Sequence, residues 1–358
     1  MEHVPYKLLL HGIDTVQCAY YLQAPEGQGV DFRFLAGAKA GLRQQKSREP
    51  YPVTLGSMPF FLYPYGSPSG YPYVLRNEDF KIELGEFNTP SFYVTFTSQA
   101  LWRESAFLLH EKFLQWAASL GLITKHPESL SRVDFSFDYA LPVVDFNEDC
   151  FVSLSSKDSQ HREDGHVQTF TLGRGDVVLR VYDKVAEIKQ QSDKVWLYLL
   201  WGQDANVWRL EWQVRKPILR EFGIRTFADL QQSQQLLLTF LANTHDTLRQ
   251  PTADTNRSRW PLHPLWVDLQ ARIAELDGLT VARVLGQQVV LLEREMRLGI
   301  SVYGYLKRLA AVHCVQHEKQ TVTLEESLRQ LEGLVQKVHE PLDWHADVEK
   351  RITAIRLG

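Results

Sequence analysis

Residues 178–184 (VLRVYDK) place Arg180, Tyr182 and Lys184 at every second position, which in a strand sends all three to one side. Two other stretches share that period. Residues 132–139 (RVDFSFDY) align Arg132, Asp134, Ser136 and Asp138, and residues 207–216 (VWRLEWQVRK) align Arg209, Glu211, Gln213 and Arg215. The opposite sides are apolar throughout, from Val133, Phe135, Phe137 and Tyr139 to Trp208, Leu210, Trp212 and Val214. If the three strands pair, one sheet face gathers carboxylates, guanidinium groups and a phenol. Clustered carboxylates repel one another unless a cation or arginines neutralise them, so this face describes an acidic cation site with a tyrosine beside it. The plainer alternative is a solvated face carrying mixed charge, which antiparallel sheets commonly have.

The elements that must position these residues follow from the rest of the chain. Residues 6–22 read as a strand, a Gly-Ile-Asp turn and a second apolar element. Residues 50–73, rich in Pro, Gly, Ser and aromatics, favour turns and short strands, and their rings could pack in a core or stack on unpaired bases. Residues 80–86 and 92–97 alternate as strands around an Asn-Thr-Pro turn, and residues 99–120 carry apolar side chains at helical spacing up to Gly121. Residues 147–166 form a polar loop whose His161 and His166 are better explained by exposure than by metal ligation. The segment after Tyr182 turns helical and brings Glu187 close. Strand–strand–helix–strand, then hairpin and helix, predicts an α+β fold: an antiparallel sheet with helices over its oily face and its polar face open to substrate.

A polar, turn-rich stretch at 250–259 predicts a boundary, giving a domain over 1–255 and a helical region over 256–358. Helices are expected there at 264–276, 281–298, 302–315, 324–338 and 345–355, the fourth started by a Thr323/Glu326 capping box. His313, Cys314 and His317 have metal-like spacing but no second ligand pair, so helix packing accounts for them better. The helical region reads as a module for DNA or partner contacts.

RVDFSFD, TFTLGRGDVVLRVYDKVAE, WRLEWQVRK and NRSRWPLHPLW, in this order, resemble rolling-circle replication initiators of the Rep-trans type, a group that includes conjugative relaxases. The resemblance runs over residues 81–266, and LRVYDKVAE is its most specific part. It implies that Tyr182 is the nucleophile that nicks DNA, with Asp134, Asp138 and Glu211 as candidate ligands of Mg²⁺ or Mn²⁺. One departure is the turn before the tyrosine strand, Gly173-Arg174-Gly175-Asp176, where members of the family often have a serine. A phenol, with an ordinary pKa near ~10, needs a cation or base to become a nucleophile at neutral pH, and Arg180 and Lys184 are placed to help. The implied activity is metal-dependent nicking and strand transfer through a 5′-phosphotyrosine, starting rolling-circle plasmid replication. The implied partner is origin DNA with an inverted repeat, single-stranded at the nick, and a helicase and a second copy of the chain are further partners to expect. Rival expectations are a conjugative relaxase with the same chemistry, a nuclease that uses water, and a non-catalytic DNA-binding or scaffold protein.

The 358-residue chain carries 39 Lys and Arg against 43 Asp and Glu, a formal net charge of −4. Such a balance excludes a global basic surface, so DNA contacts must be local. Candidates are Lys39, Arg43 and Lys46, and Arg132, Arg209, Arg215 and Lys216 on the polar strands. Three scattered cysteines, Cys18, Cys150 and Cys314, fit a reducing compartment better than a disulfide framework. No apolar run approaches membrane length, the first residues lack a signal-peptide core, and a cytoplasmic protein without membrane contact is expected.

Overall fold

The alternation at 132–139, 178–184 and 207–216 becomes three adjacent strands in the register it requires. The computed structural model describes residues 6–25, 27–155, 158–163, 166–192, 194–276 and 287–357. Its strands are β1 (Lys7–Gln23), β2 (Tyr51–Leu55), β3 (Met58–Leu62), β4 (Tyr73–Arg76), β5 (Phe80–Leu84), β6 (Phe92–Phe96) and β7 (Ile123–Ala140). They continue as β8 (Phe151–Ser153), β9 (Asp158–Glu163), β10 (His166–Leu172), β11 (Val177–Asp183), β12 (Val207–Arg215) and β13 (Asp246–Leu248). Among the described residues β8 and β13 pair with each other, and the other eleven strands form one antiparallel sheet in the order β2-β3-β4-β5-β6-β1-β7-β12-β11-β10-β9. The stretch at 147–166 is thus partly strand. The side chains of His161 and His166 lie outside the described residues.

The helices of the sheet-bearing part are α1 (Phe32–Gln44), α2 (Ser98–Arg103), α3 (Ala106–Ser119), α4 (Lys184–Gln190), α5 (Leu197–Trp201), α6 (Lys216–Glu221), α7 (Phe227–Phe240) and α8 (Pro264–Ala274). The single helix expected at 99–120 is broken where Glu104 is extended and Ser105 starts α3 by accepting a bond from the Leu108 N–H. The oily face of the sheet meets α3, α6, α7 and α8. Phe135, Phe137, Leu210 and Trp212 pack there in one core with Phe113, Trp116, Leu219, Leu237 and Trp266. Each such side chain stabilises the fold by about 1.5–3 kcal/mol relative to exposure.

A second, smaller core lies on the other face. Leu10 of β1, Trp102 of α2, Val185 and Ile188 of α4, and Leu197 and Trp201 of α5 cluster over one end of the polar side. The polar face is therefore open only in part, because these short helices cap the stretch around Arg209.

The chain divides into units Met1–Leu285 and Gly286–Gly358. The boundary expected at 255 is corrected by α8, whose Leu265, Trp266, Leu269 and Ile273 belong to the main core. The 250–259 stretch is a loop within the fold, closed by the Gln250 N–H on the Pro261 carbonyl. The second unit contains α9 (Gln287–Gln316), α10 (Leu324–Val338) and α11 (Pro341–Leu357). Two expected helices are one continuous α9, and the start expected at Val281 lies outside the described residues. Thr323 and Glu326 form the capping box that opens α10. No helix among the described residues is long and apolar enough to cross a membrane.

Candidate active site

Cross-strand partners are Arg180 with Glu211, Tyr182 with Arg209, Arg209 with Asp138, Gln213 with Asp134 and Arg215 with Arg132. All of these side chains share one face. The Tyr182 hydroxyl donates to Glu211 Oε2 at 2.9 Å, and Lys184 Nζ lies 3.4 Å from the same hydroxyl oxygen. Lys184 is itself paired with Glu187 on the first turn of α4, at 2.7 Å. Arg180 reaches Glu211 Oε1 at 3.5 Å and Gln213 at 3.4 Å. These groups border a cavity of about 430 Å³ lined by Tyr182, Glu211, Arg180, Arg132, Gln213 and Glu187 among others. A proton donor, its acceptor and two guanidinium groups therefore meet at an opening large enough for a nucleotide, with Lys184 buried beside the phenol.

Burial and then the Glu211 carboxylate push the Tyr182 phenol well above its ordinary range, so it is neutral and donates. Burial, and then the neighbouring Arg209, push the Lys184 ammonium down. Tyr182 thus faces an acceptor held at hydrogen-bond distance and a cation whose proton is loosened, the geometry that a tyrosine nucleophile with its base would need.

Asp138 departs from its expected role. Its two oxygens accept from Arg209 Nε at 2.6 Å and Nη2 at 2.8 Å, and Oδ2 accepts also from Trp201 Nε1 at 2.8 Å. Asp138 and Arg209 are both 0% exposed. A carboxylate already holding a buried guanidinium and an indole cannot turn to a metal without stranding that charge. Arg209, expected on DNA, is for the same reason a buried counter-ion.

The remaining carboxylates differ. Asp134 lies beneath Arg132, which binds both of its oxygens. Burial nevertheless pushes its carboxyl up to about 6 against the pull of Arg132. It would accept more positive charge, provided Arg132 swings aside. Glu211 offers Oε1, held only loosely by Arg180. Among the described residues no three His, Cys, Asp or Glu side chains converge on a point that could hold a metal. Two carboxylates suit Mg²⁺, which commonly takes one or two protein ligands and completes its shell with water and substrate phosphate.

Asp14 escapes the sequence pattern. The register of β1 against β7 slips between Ile13 and Thr15, so Asp14 is the extra residue of a bulge and turns onto the polar face. The expected Gly-Ile-Asp turn is this bulge within a continuous strand. Asp14 accepts from Arg209 Nη1 at 2.6 Å, from Trp102 Nε1 and Ser98 Oγ at 2.9 Å, and from Lys194 at 3.1 Å. Burial would raise its carboxyl, but Lys194 and Arg209 outweigh burial and hold it well below the usual range. Gly12 makes room for this, since a Cβ there would stand 3.0 Å from the Trp102 ring.

The other DNA candidates separate by exposure. Arg215 and Lys216 are exposed at the end of β12, and Arg132 lines the cavity. Arg43 and Lys46 are exposed at the end of α1. Lys39 is buried: its ammonium donates to the Pro72 carbonyl and sits 5.6 Å from the Tyr73 ring centre, so it is not available to phosphate.

No family model matches the chain, and no curated protein matches it. Among solved structures it is similar to a rolling circle replication initiator protein from Geobacillus stearothermophilus. The identity is 16% and the TM-score 0.41, with 74% of this chain and 96% of that chain covered. A likeness of that degree says nothing about chemistry.

Proposed function

We propose that this protein nicks DNA by tyrosine transfer and starts rolling-circle replication, with the Tyr182–Glu211 hydrogen bond in the lining of the cavity as the observation that carries the reading. Tyr182 Oη attacks the scissile phosphorus while its proton passes to the Glu211 carboxylate. The bond from phosphorus to the 3′ oxygen breaks, that oxygen takes a proton from water, and the 5′ phosphate remains esterified to Tyr182. The ester conserves the bond, so the strand can later be rejoined. Lys184 stabilises the phenolate as it forms, and Arg180 and Arg132 balance charge on the phosphate oxygens. Asp134 and Glu211 are the residues that would hold Mg²⁺ or Mn²⁺, which supplies Lewis-acid polarisation of the phosphate when bound. The motif resemblance around Tyr182 supplies the replication context, with origin DNA, a helicase and a second copy as partners in the cytoplasm.

One incubation with supercoiled plasmid bearing the cognate origin, resolved on a denaturing gel, tests this. A protein–DNA adduct is expected. Cut DNA without adduct would mean that water is the nucleophile, and a mobility shift alone would mean a binding protein.

A further inference from the structure

The polar face continues well past the tyrosine. Directly opposed residues share a face, so the register can be followed from strand to strand. Arg215 stands opposite Arg132, Arg132 opposite Gln17, Gln17 opposite Thr95, Thr95 opposite Lys81, Lys81 opposite Arg76, and Arg76 opposite Phe61. One row of side chains thus crosses the sheet from β12 to β3. From β3 across to β11 is seven strand spacings, roughly 34 Å at ~4.8 Å between strands. Tyr182 stands opposite Arg209, along β12 from Arg215, and Arg132 belongs both to the row and to the lining of the Tyr182 cavity.

The row has a charge pattern and an end. Lys81 is neutralised by Glu83, and Arg132 by Asp134. Arg76 and Arg215 are exposed and have no ion-pair partner among the described residues. At the far end Phe61 is 49% and Tyr65 48% exposed. Arg76 lies 5.1 Å from the Tyr63 ring centre, and the Tyr63 and Tyr65 centres are 5.1 Å apart. Exposed rings beside an unpaired guanidinium, joined to a nicking site by a row of polar groups, match the needs of an unpaired strand, whose bases stack and whose phosphates seek cations. A duplex hides the faces of its bases and would leave the rings unused.

We propose that this row carries single-stranded DNA from the Tyr182 cavity to a stacking platform formed by Phe61, Tyr63 and Tyr65, with Arg76 and Arg215 on phosphates. It rests on the nicking reading for the identity of the strand. A stacked strand rising ~3.4 Å per nucleotide would need about 10 nucleotides to span it.

Binding of labelled oligothymidylates from about 4 to about 20 nucleotides, followed by fluorescence anisotropy, reads the site size. The full chain carrying Tyr182→Phe serves as parent, because it cannot form an ester. Affinity should climb to about 10 nucleotides and then level off. Phe61→Ala and Tyr63→Ala should each weaken the plateau about tenfold and leave the shortest oligonucleotide unaffected. Arg76→Ala should flatten the slope of log affinity against log salt by about 0.7, the single-strand value per phosphate. Parent-like affinity in both aromatic variants at every length overturns the proposal. So does the absence of oligonucleotide binding, the result expected if the rings dock a protein. Adduct formation by the unmutated chain is scored separately. An adduct with no effect of the aromatic variants removes the platform and keeps the nicking reading, whereas ring-dependent binding without any adduct does the reverse.

Discussion

Replacing Asp138 by asparagine separates two roles for that residue by stability alone. Arg209 is fully buried between Asp138 and Asp14, with bonds of 2.6 and 2.8 Å to the first and 2.6 Å to the second. An asparagine keeps the volume but removes the charge, and in either orientation its NH₂ group must face an Arg209 donor, in one of them the Trp201 N–H as well. Breaking a buried ion pair by removing one partner costs about 3–5 kcal/mol. Because Asp14 still neutralises Arg209, the lower end applies, about 3 kcal/mol. At about 2–4 °C per kcal/mol for a large domain, the unfolding midpoint should fall by about 6–12 °C. Thermal unfolding followed by tryptophan fluorescence in metal-free buffer reads this directly. By contrast Arg180→Gln removes a longer, partly exposed pair with Glu211 and should cost under ~1 kcal/mol. If Asp138 were instead a metal ligand, removing its charge would relieve repulsion in the absence of metal. A midpoint unchanged within about 2 °C, together with a raised metal requirement for nicking, would refute the counter-ion role.

Tyr182→Phe should abolish the covalent adduct while costing only about 1 kcal/mol of stability for the lost bond to Glu211; an adduct mapped to Tyr139 or any other tyrosine would sink the assignment. Glu211→Gln retains an acceptor but no base, so nicking should slow by about 10²–10⁴ and need more metal; an unchanged single-turnover rate rules out proton transfer to Glu211, and full activity in excess chelator rules out the metal. Asp134 titrates near 6 in the folded protein, above its ordinary value, so its contribution to stability is fully present at low pH and lost as pH rises through about 4 to 6. Urea unfolding should therefore show the advantage of wild type over Asp134→Asn shrinking by about 3 kcal/mol across that window; a difference that stays flat contradicts dominance by burial. Lys216→Ala should weaken cognate and random DNA alike and lower the salt slope by about 1; loss confined to the cognate origin would place Lys216 on a base edge instead of a phosphate.

Period-two alternation made the three central strands and their two faces legible, because an apolar face must be buried whatever covers it. Every oily residue named there is in the main core except Tyr139's hydroxyl end, which donates to Asp268 at 2.9 Å. The cover on the polar face was not legible. A charged residue at period two looks the same whether water or a tryptophan lies above it, and the tryptophans that cap the stretch around Arg209 come from α2, distant in sequence, and from the short α5 just before β12, whose placement the alternation does not show. Asp14 was hidden by a one-residue slip, since a bulge reverses the parity on which the pattern rests. The misplaced boundary has a similar cause. A polar, turn-rich stretch marks loop backbone, but whether the loop joins two domains or closes one depends on long-range contacts such as the Arg249–Leu262 bridge.

Tyr182 stands where the capped and open parts of the polar face meet, and that position bears on how it could react. On the capped side Arg209 and Lys194 together neutralise Asp14 and Asp138, and the Arg209 bonds tie β1, β7 and β12 in register. Arg209 comes within 4.0 Å of Glu211 Oε2, the oxygen that accepts from Tyr182. On the open side Arg180 and Arg132 border the cavity. The phenol is held neutral by burial and by Glu211, so no preformed phenolate awaits substrate. An entering phosphate adds negative charge, which by itself would raise the phenol further. In the proposed reaction, attack would then require that the proton move to Glu211 as the new bond forms, with the cations taking up the charge that appears on phosphorus oxygens. In the proposed nicking reaction a phenol that ionises only in this way would be protected from idle reaction when no strand is bound, and its chemistry would be coupled to occupancy of the cavity.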